Sequence, residues 1–323
     1  MDQGFPAPAR IPTNGIELAV HEAGPSDGPA VVFCHGFPEL AYSWRFQLPA
    51  LAAAGYRAIA PDQRGYGGST RPEAVEAYDI HQLTADLAGL LDALEIERAV
   101  FCGHDWGGGV VWSMAQLHPD RVAGVIALNT PFSPRPPMDP LDLMRAGMGE
   151  DFYIVQFQQP GVADAIFLER VDSVFRLFYG RAEMTAEEFA QLPEEQRTLS
   201  MLAALEAFDP ANAPPPIIDE DALAHFVKVF RETGFTGGIN WYRNISRNWA
   251  TTADAPERLD IPALMISAAN DVVLTPAMTE GMEERVPDLE KHVIADCGHW
   301  TQQEKPEETN ALIVDWLRRR FPA

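Results

Sequence analysis

A sharp turn between a strand and a helix is the feature that most constrains how this chain can fold. The apolar run at residues 99–102 predicts a buried strand, and the run at 110–115 predicts the helix that follows. Between them the sequence reads Gly-His-Asp-Trp-Gly-Gly over residues 103–108. Glycines on both sides of the turn allow the two backbones to pass closely. This order of strand, turn and helix is typical of a nucleophile elbow, which presents the residue at its tip to a reacting molecule.

The residue at the tip of this turn is Asp105, where such an elbow normally has a serine. A serine that attacked a saturated carbon would form an ether, which the enzyme could not hydrolyse. A carboxylate that attacks the same carbon forms an ester, which water can cleave. The aspartate therefore indicates an alkyl electrophile, such as an epoxide or an alkyl halide.

The charge of the chain narrows the class of partner. Among 323 residues, 47 are acidic and 24 are basic, which gives a formal net charge of −23. So acidic a protein is repelled by nucleic acid and by anionic membranes, and no apolar run is long enough to cross a bilayer. We therefore expect a small-molecule substrate and no nucleic-acid or membrane partner. A monomer and a homodimer are both compatible with the sequence, which does not decide between them.

The cysteines indicate where the protein works. Cys34, Cys102 and Cys297 are an odd number, and two of them lie in apolar runs, so we expect buried free thiols and a reducing cytoplasm. The first residues lack the basic start and apolar stretch of a secretion signal. No Cys-x-x-Cys or Cys/His spacing typical of a metal site is present. We expect neither a metal ion nor an organic cofactor.

Strand and helix patterns alternate through the first part of the chain and return at its end. Continuous apolar runs predict strands that are buried on both faces, and apolar side chains at helical spacing predict helices between them. This alternation predicts an α/β fold with a mostly parallel sheet flanked by helices. The predicted strands lie at residues 31–34, 57–60, 99–102, 122–128, 263–267 and 292–295.

The alternation breaks at Pro131, where a proline-rich stretch begins. From there to about residue 254 the pattern is mostly helical and rich in aromatic residues and methionine. We interpret this region as a helical cap inserted after the strand at 122–128, which is the sixth strand of such a fold although it is the fourth of the runs named above. The predicted domains are the first part of the core at 1–131, the cap at 132–254 and the second part of the core at 255–323.

Two further polar residues follow predicted strands and complete a catalytic set with Asp105. Asp271 follows the strand at 263–267, and His299 follows the strand at 292–295. The chain order of nucleophile, acid and histidine is that of the α/β-hydrolases, with His299 as general base and Asp271 as its orienting acid. The backbone N–H groups of Phe37 and Trp106 are the predicted donors of an oxyanion hole.

On these residues the chain resembles the epoxide hydrolases of the α/β-hydrolase fold, and it is similar to the hydrolase domain of the soluble epoxide hydrolases. Three motifs match that family: His-Gly-Phe-Pro-Glu at 35–39, the elbow at 103–108, and Cys-Gly-His-Trp at 297–300. The segments around Tyr153 and Tyr242 in the predicted cap match it as well. The resemblance implies that these tyrosines donate hydrogen bonds to the epoxide oxygen. A phenol, with a pKa of about 10, is protonated at neutral pH and can do so.

The resemblance implies an enzyme that converts an apolar epoxide and water to a vicinal diol through a covalent ester on Asp105. Several side chains of the predicted insertion are candidates to bind the substrate, although the sequence also allows them to form the core of the cap. These candidates are Trp241, Phe157, Phe132 and Met144.

Two alternatives stay open. A haloalkane or haloacid dehalogenase of the same fold also uses an aspartate nucleophile, and Trp106 suits a halide-stabilising indole. However, Phe37 stands where many haloalkane dehalogenases have asparagine, and Trp106 stands where fluoroacetate dehalogenases have arginine. A catalytically silent fold that serves as a ligand receptor is disfavoured by the intact Asp105, Asp271 and His299.

Overall fold

One eight-stranded sheet organises the protein. The computed structural model describes residues 4–181, 185–192 and 199–323. The strands are β1 (Ala9–Thr13), β2 (Ile16–Ala23), β3 (Ala30–Cys34), β4 (Arg57–Asp62), β5 (Ala99–His104), β6 (Val122–Leu128), β7 (Ala263–Ala268) and β8 (Leu289–Ile294). Their order across the sheet is β1-β2-β4-β3-β5-β6-β7-β8. Strand β2 pairs antiparallel with both β1 and β4, and every other pair of neighbouring strands is parallel.

The helices follow the strands in the first and last parts of the chain and fill the region between β6 and β7. No helix in the described ranges combines the length and apolar composition that crossing a bilayer requires. The helices are α1 (Gln47–Ala53), α2 (Ile80–Ala93), α3 (Trp106–Leu117), α4 (Pro140–Met148), α5 (Tyr153–Gln156), α6 (Val162–Glu169), α7 (Val171–Phe178), α8 (Ala186–Gln191), α9 (Met201–Ala207), α10 (Glu220–Thr233), α11 (Thr236–Arg243), α12 (Ile245–Thr251), α13 (Thr301–Glu304) and α14 (Pro306–Arg320).

The central strands are parallel and buried. Every residue of β5 and β7 is buried, which is why both strands appear in the sequence as continuous apolar runs. Helices α1 and α14 pack together through an apolar cluster that includes Leu48, Leu51, Trp316 and Leu317 and extends to side chains of the sheet. The predicted α/β fold, with a mostly parallel sheet, flanking helices and a helical insertion after the sixth strand, is confirmed.

The hairpin of β1 and β2 has no counterpart among the predicted strands. Asn14 and Gly15 join the two strands with φ values of 39° and 75°, and positive values at both positions are what a tight two-residue hairpin turn requires. Polar residues such as Arg10 and Glu17 interrupt these edge strands. They therefore lack the continuous apolar run that identified the central strands.

The chain divides into two compact units. The first, which we call the core unit, consists of residues up to 71, 80–134 and 254–323, and it contains the whole sheet. The second, which we call the helical unit, consists of residues 72–79 and 135–253. The short segment 72–79 thus groups with residues that lie far from it in the sequence.

Aromatic rings form the interior of the helical unit. Phe167 lies edge-on to Phe157 and Phe235, with ring centroids 5.6 and 5.4 Å apart. Phe175 and Phe230 extend this cluster, with centroids 5.1 Å apart. Such pairs add specific contacts to the burial of large apolar surfaces. The aromatic content of the insertion therefore serves its packing, whatever further role individual rings have.

Candidate active site

Asp105 lies on the turn between β5 and α3, in a backbone conformation that few residues adopt. Its φ and ψ are 52° and −122°, and strain of this kind is concentrated at functional sites. Glycine is required around it, because a Cβ on Gly107 would lie 2.0 Å from the carbonyl oxygen of Cys34. A Cβ on Gly103 would lie 2.2 Å from the carbonyl oxygen of Gly107. The turn thus places Asp105 at the carboxyl end of a central strand.

Two backbone N–H groups donate to the carboxylate of Asp105. The N–H of Phe37 donates to Oδ1 at 2.9 Å, and the N–H of Trp106 also hydrogen-bonds this carboxylate. The loop that carries Phe37 approaches closely because Gly36 has no side chain: a Cβ there would lie 2.5 Å from Oδ1. The two predicted oxyanion donors are therefore both directed at the predicted nucleophile.

His299 lies between two carboxylates. Its Nδ1 is 2.8 Å from Oδ2 of Asp271, and its Nε2 is 3.8 Å from Oδ2 of Asp105. The Nδ1–H donates to Asp271, which turns Nε2 towards the nucleophile. Burial lowers the pKa of His299, but the two carboxylates outweigh burial and raise this pKa to about 9.

Asp271 has acceptor sites filled on both of its oxygens. Oδ1 accepts from the backbone N–H groups of Val273 and Leu274, each at 2.9 Å. Oδ2 accepts from Nδ2 of Asn129 at 2.7 Å and from His299. Burial raises the pKa of the Asp271 carboxyl, but His299 and the backbone donors prevail and keep it well below its usual range. Asp271 is therefore ionised, as its predicted orienting role requires.

The pKa of Asp105 shifts in the opposite direction. Burial raises it above the ordinary aspartate value, although His299, His104 and the backbone donors at Phe37 and Trp106 act against that shift. The side chain remains 15% exposed and that of His299 21% exposed. Both groups are thus accessible to a small molecule, whereas Asp271 is completely buried.

His35 lies buried beside the elbow and is neutral. Its Nδ1 faces the carbonyl oxygen of Gly36 at 2.9 Å and donates to it, while its Nε2 accepts from the backbone N–H of Gln63 at 3.1 Å. A ring that donates from one nitrogen and accepts at the other is uncharged. Burial lowers the pKa of His35, which agrees with this assignment.

His104 has the opposite arrangement. Its Nδ1 is 2.8 Å from Oε2 of Glu39, and its Nε2 is 2.7 Å from the carbonyl oxygen of His299. Both partners are acceptors, so both ring nitrogens donate, and the ring forms a buried ion pair with Glu39. Burial raises the pKa of Glu39, but His104 outweighs it and lowers this pKa to about 2. No role was predicted for Glu39 from the sequence, although it lies within the His-Gly-Phe-Pro-Glu motif.

Asn129 is a second residue for which the sequence predicted no role. It directly follows β6 with φ of 64°, a left-handed conformation that asparagine tolerates better than most residues. Its Nδ2 donates to Asp271 and, at 2.9 Å, to the carbonyl oxygen of His299. Its Oδ1 accepts from the hydroxyl of Thr301 at 2.7 Å. Its position directly after the predicted strand at 122–128 is the sequence feature that could have identified it.

The helical unit brings Tyr153 and Tyr242 together. Tyr153 begins α5 and Tyr242 lies in α11, and their ring centroids are 5.8 Å apart at an interplanar angle of 76°. Phe157 lies edge-on to both, with centroid distances of 5.6 and 5.1 Å. The tyrosines are only 6% and 3% exposed. Two segments about ninety residues apart in the sequence thus place two tyrosine rings in contact.

The four candidates for substrate binding lie in different environments. Phe157 and Trp241 are completely buried in the helical unit, and Phe157 contacts both tyrosines. Met144 lies on α4 and is half-buried. Phe132 belongs to the core unit and packs against Trp112, with ring centroids 5.5 Å apart. Their contact with a substrate stays a prediction.

The cysteines lie outside this chemistry. Cys34, Cys102 and Cys297 are buried free thiols, and burial raises the pKa of all three, that of Cys297 to about 12. A thiol with so high a pKa is a poor nucleophile. Within the described ranges, no group of three or more histidine, cysteine and acidic residues is arranged to bind a metal ion.

Comparisons with known proteins identify the family. The pattern of the alpha/beta hydrolase fold family matches residues 29–306. Epoxide hydrolase A of Mycobacterium tuberculosis is 47% identical over 97% of this chain and 98% of its own length. Bifunctional epoxide hydrolase 2 of Sus scrofa is 42% identical over 94% of this chain but 53% of its own length. The chain thus spans about half the length of that mammalian relative.

Solved structures agree with the sequence comparison. The crystal structure of epoxide hydrolase A from Mycobacterium thermoresistibile has a TM-score of 0.88 and 44% identity over 97% of this chain and 98% of that one. That of epoxide hydrolase VrEH1 from Vigna radiata has a TM-score of 0.85 and 32% identity over 99% of each chain. The protein is therefore an enzyme of the α/β-hydrolase fold and belongs to the epoxide hydrolases. The predicted family, fold and class of enzyme are confirmed.

Proposed function

We propose that this epoxide hydrolase acts through a covalent ester on Asp105 and releases a vicinal diol from an apolar epoxide. One observation carries the proposal: the carboxylate of Asp105 lies 3.8 Å from Nε2 of His299 and accepts from the N–H of Phe37. A nucleophile, a base and an oxyanion donor thus converge on one point at the end of β5, as hydrolysis of an ester requires.

In the first step, Oδ2 of Asp105 attacks an epoxide carbon. This oxygen is the better nucleophile because Oδ1 is engaged by the N–H of Phe37. The carbon–oxygen bond of the epoxide breaks, and its electron pair leaves with the oxygen. Tyr153 and Tyr242 hydrogen-bond that oxygen, and one of them transfers its proton to the alkoxide. The products are an ester on Asp105 and a tyrosinate.

In the second step, Nε2 of His299 takes a proton from water while the water oxygen attacks the ester carbonyl carbon of Asp105. The N–H groups of Phe37 and Trp106 stabilise the resulting oxyanion. The tetrahedral intermediate expels the diol oxygen, which takes the proton back from His299. The second proton of the water passes to the tyrosinate, which restores the resting enzyme.

The charges of the site assign His299 to the second step. Burial lowers its pKa, but in the resting enzyme Asp271 and Asp105 raise that pKa to about 9, so the ring is protonated at neutral pH. Esterification removes the charge of Asp105 and one of the two groups that stabilise the imidazolium. The pKa of His299 therefore falls when the ester forms, so the ring releases its proton to solvent and becomes a base at the point where one is needed. Once Asp105 regains its charge, the pKa rises and His299 takes up a proton from solvent again.

The decisive experiment uses His299→Gln. This variant retains the nucleophile but lacks the base, so after mixing with an accepted epoxide we expect a protein heavier by one substrate mass. Asp105→Ala should acquire no such mass, and peptide mapping should locate the adduct on Asp105. His292→Gln, which removes a partly exposed histidine on β8 that contacts Glu290, is the matched control and should turn over normally.

Two outcomes contradict the ester mechanism. One is an adduct on a residue other than Asp105, and the other is steady turnover by His299→Gln at the wild-type rate. A panel of styrene-type, aliphatic and fatty-acid epoxides, run beside haloalkanes and fluoroacetate, defines the substrate class. Turnover of the halides without turnover of any epoxide favours the dehalogenase alternative.

We further propose that residues 132–254 act as a cap over a core formed by residues 1–131 and 255–323. Support comes from the grouping of residues 135–253 in the helical unit. A cytoplasmic location is part of the proposal, because the three buried thiols suit a reducing compartment. Light scattering during gel filtration tests the expected monomer or homodimer.

A further inference from the structure

The backbone on both sides of His299 donates to one carboxylate. The N–H of Gly298 donates to Oε2 of Glu304 at 2.9 Å, and the N–H of Trp300 donates to Oε1 of the same residue at 3.0 Å. Glu304 is the last residue of α13, the short helix that follows His299. Its side chain folds back over the first turn to reach the loop. One carboxylate therefore binds the backbone N–H groups on both sides of His299.

The identity of residue 298 supports this arrangement. A Cβ on Gly298 would lie 3.0 Å from Oε1 of Glu304, which is closer than ordinary packing allows. Gly298 does not have a positive φ, so its backbone conformation does not require glycine. Its lack of a side chain is accounted for by the carboxylate that lies against it.

The peptide carbonyl of His299 is bound from another direction. It accepts from Nε2 of His104 at 2.7 Å and from Nδ2 of Asn129 at 2.9 Å. His299 lies between β8 and α13, where a regular sheet or helix does not supply backbone partners, so side chains must supply them. Glu304 binds the N–H groups of the two neighbouring residues, and His104 and Asn129 bind the carbonyl oxygen of His299. The backbone that carries the imidazole is therefore held on both sides.

We propose that Glu304 is a positioning residue for the hydrolytic step, whose carboxylate fixes the backbone so that Nε2 of His299 meets the attacking water. The inference rests on the proposed function, in which His299 acts only after the ester has formed. Two carboxylate oxygens accept two N–H donors at once. A carboxamide has one acceptor oxygen, and its NH₂ group would face the second donor. Glu304→Gln thus breaks one anchor with almost no change in volume.

The experiment separates the two half-reactions. Enzyme is mixed with styrene oxide, or with 1,2-epoxyhexane if the wild type turns that over faster, and is quenched with acid at successive times. Intact-protein mass spectrometry then follows the ester: its rise measures alkylation and its decay measures hydrolysis. For Glu304→Gln we expect unchanged alkylation and hydrolysis slower by about 100-fold, the order of loss that a misplacement of about 1 Å causes.

Three further variants sharpen the test. Glu307→Gln removes the same charge from an exposed residue nearby, and both of its rates should equal those of the wild type. Glu304→Asp keeps a carboxylate that is one methylene shorter, and it should recover part of the lost hydrolysis. Gly298→Ala displaces the Glu304 carboxylate without altering it, so it should slow hydrolysis selectively, and it tests the idea even if Glu304→Gln does not fold.

Two results overturn the inference. One is an equal loss of both rates in the folded Glu304→Gln and Gly298→Ala variants, which indicates general structural damage. The other is wild-type hydrolysis in the folded variants. If the His299→Gln variant stalls as an ester while hydrolysis in the Glu304 variants is normal, only the role of Glu304 is refuted. If His299→Gln does not stall, the proposed function and this inference fail together.

Discussion

The proposed catalytic group of the core unit and the tyrosine pair of the helical unit lie in different surroundings. In the core unit, Asp271 and His299 are oriented by hydrogen bonds to each other, to Asn129 and to backbone N–H groups. In the helical unit, the rings of Tyr153 and Tyr242 pack against each other and around Phe157.

The difference follows from charge. A buried carboxylate or imidazolium loses its hydration, and only directional partners compensate for that loss. A phenol is neutral at pH 7, so most of its surface can be buried against other rings at little cost. The charged group therefore depends on a network in which each partner matters, whereas the rings of Tyr153 and Tyr242 are positioned by packing. In our proposal the first group acts chiefly on the ester and the second on the epoxide.

The double variant Tyr153→Phe/Tyr242→Phe should have the largest effect, because it leaves the packed rings but removes both hydroxyls. Removal of one transition-state donor costs about 10²–10³ in rate, so we expect about 10⁴–10⁶-fold slower alkylation from the pair. Each single variant should keep part of the rate. Rapid-quench mass spectrometry of ester formation measures both. Tyr179→Phe, a buried tyrosine of the same unit stacked on Phe226, is the control, and wild-type alkylation by the double variant would refute the donor assignment.

Asp271→Asn should have the next largest effect, confined to the other half-reaction. The amide cannot accept from all the donors that surround Asp271, and His299 loses the partner that sets its tautomer. We expect hydrolysis of the ester to slow by about 10³–10⁴-fold, with alkylation much less affected, as measured by decay of the ester after a single turnover. Asp260→Asn changes an exposed aspartate of the same unit and should leave both rates intact. An equal loss of both rates in Asp271→Asn would contradict the proposal that Asp271 acts chiefly in hydrolysis of the ester.

The smallest effect concerns the pKa of His299. Burial lowers this pKa, and Asp271 and Asp105 raise it to about 9. Asp105→Asn removes one carboxylate without removing Asp271, so the pKa of His299 should fall, as nuclear magnetic resonance titration of the ring would show. In the wild type, ester hydrolysis should rise about tenfold per pH unit up to the pKa that His299 has in the ester, and then level off. An unchanged pKa in Asp105→Asn contradicts the electrostatic coupling.

The raised pKa of His299 also predicts how the stability of the folded protein changes with pH. The pKa of His299 is raised in the folded state from its ordinary value of 6.5 to about 9. Its contribution to the free energy of unfolding is therefore fully present below about pH 6.5 and is lost as the pH rises through 9. The stability difference between the wild type and His299→Gln should narrow over that range, which thermal unfolding at several pH values can check.

Local patterns in the sequence were sufficient for the elbow and for the strand ends. Glycines at 103, 107 and 108 and an apolar run before them predict the turn that presents Asp105, because sterics allow few other conformations there. Asp271 and His299 could be placed after strands because an apolar run precedes each of them. The β1–β2 hairpin was not predicted because its edge strands mix polar and apolar residues.

Partnerships between distant residues could not be predicted in this way. Glu39 and His104 are 65 residues apart and form a buried ion pair. Asn129 joins Asp271 and His299 from yet another strand end. Each of these side chains is chemically unremarkable in sequence, and its role exists only because parallel strands end at the same edge of the sheet.

The sequence by itself determined the class of fold and the order of the central strands along the chain, and it predicts an aspartate nucleophile, since these depend on periodicity, glycine placement and the reactivity of a carboxylate. The tertiary structure decided which protonation states the buried histidines adopt and which side chains orient His299. Those properties depend on distances of about 3 Å between residues far apart in the chain, where hydrogen bonds and desolvation act. His35 is neutral and His104 is paired with Glu39 for that reason alone.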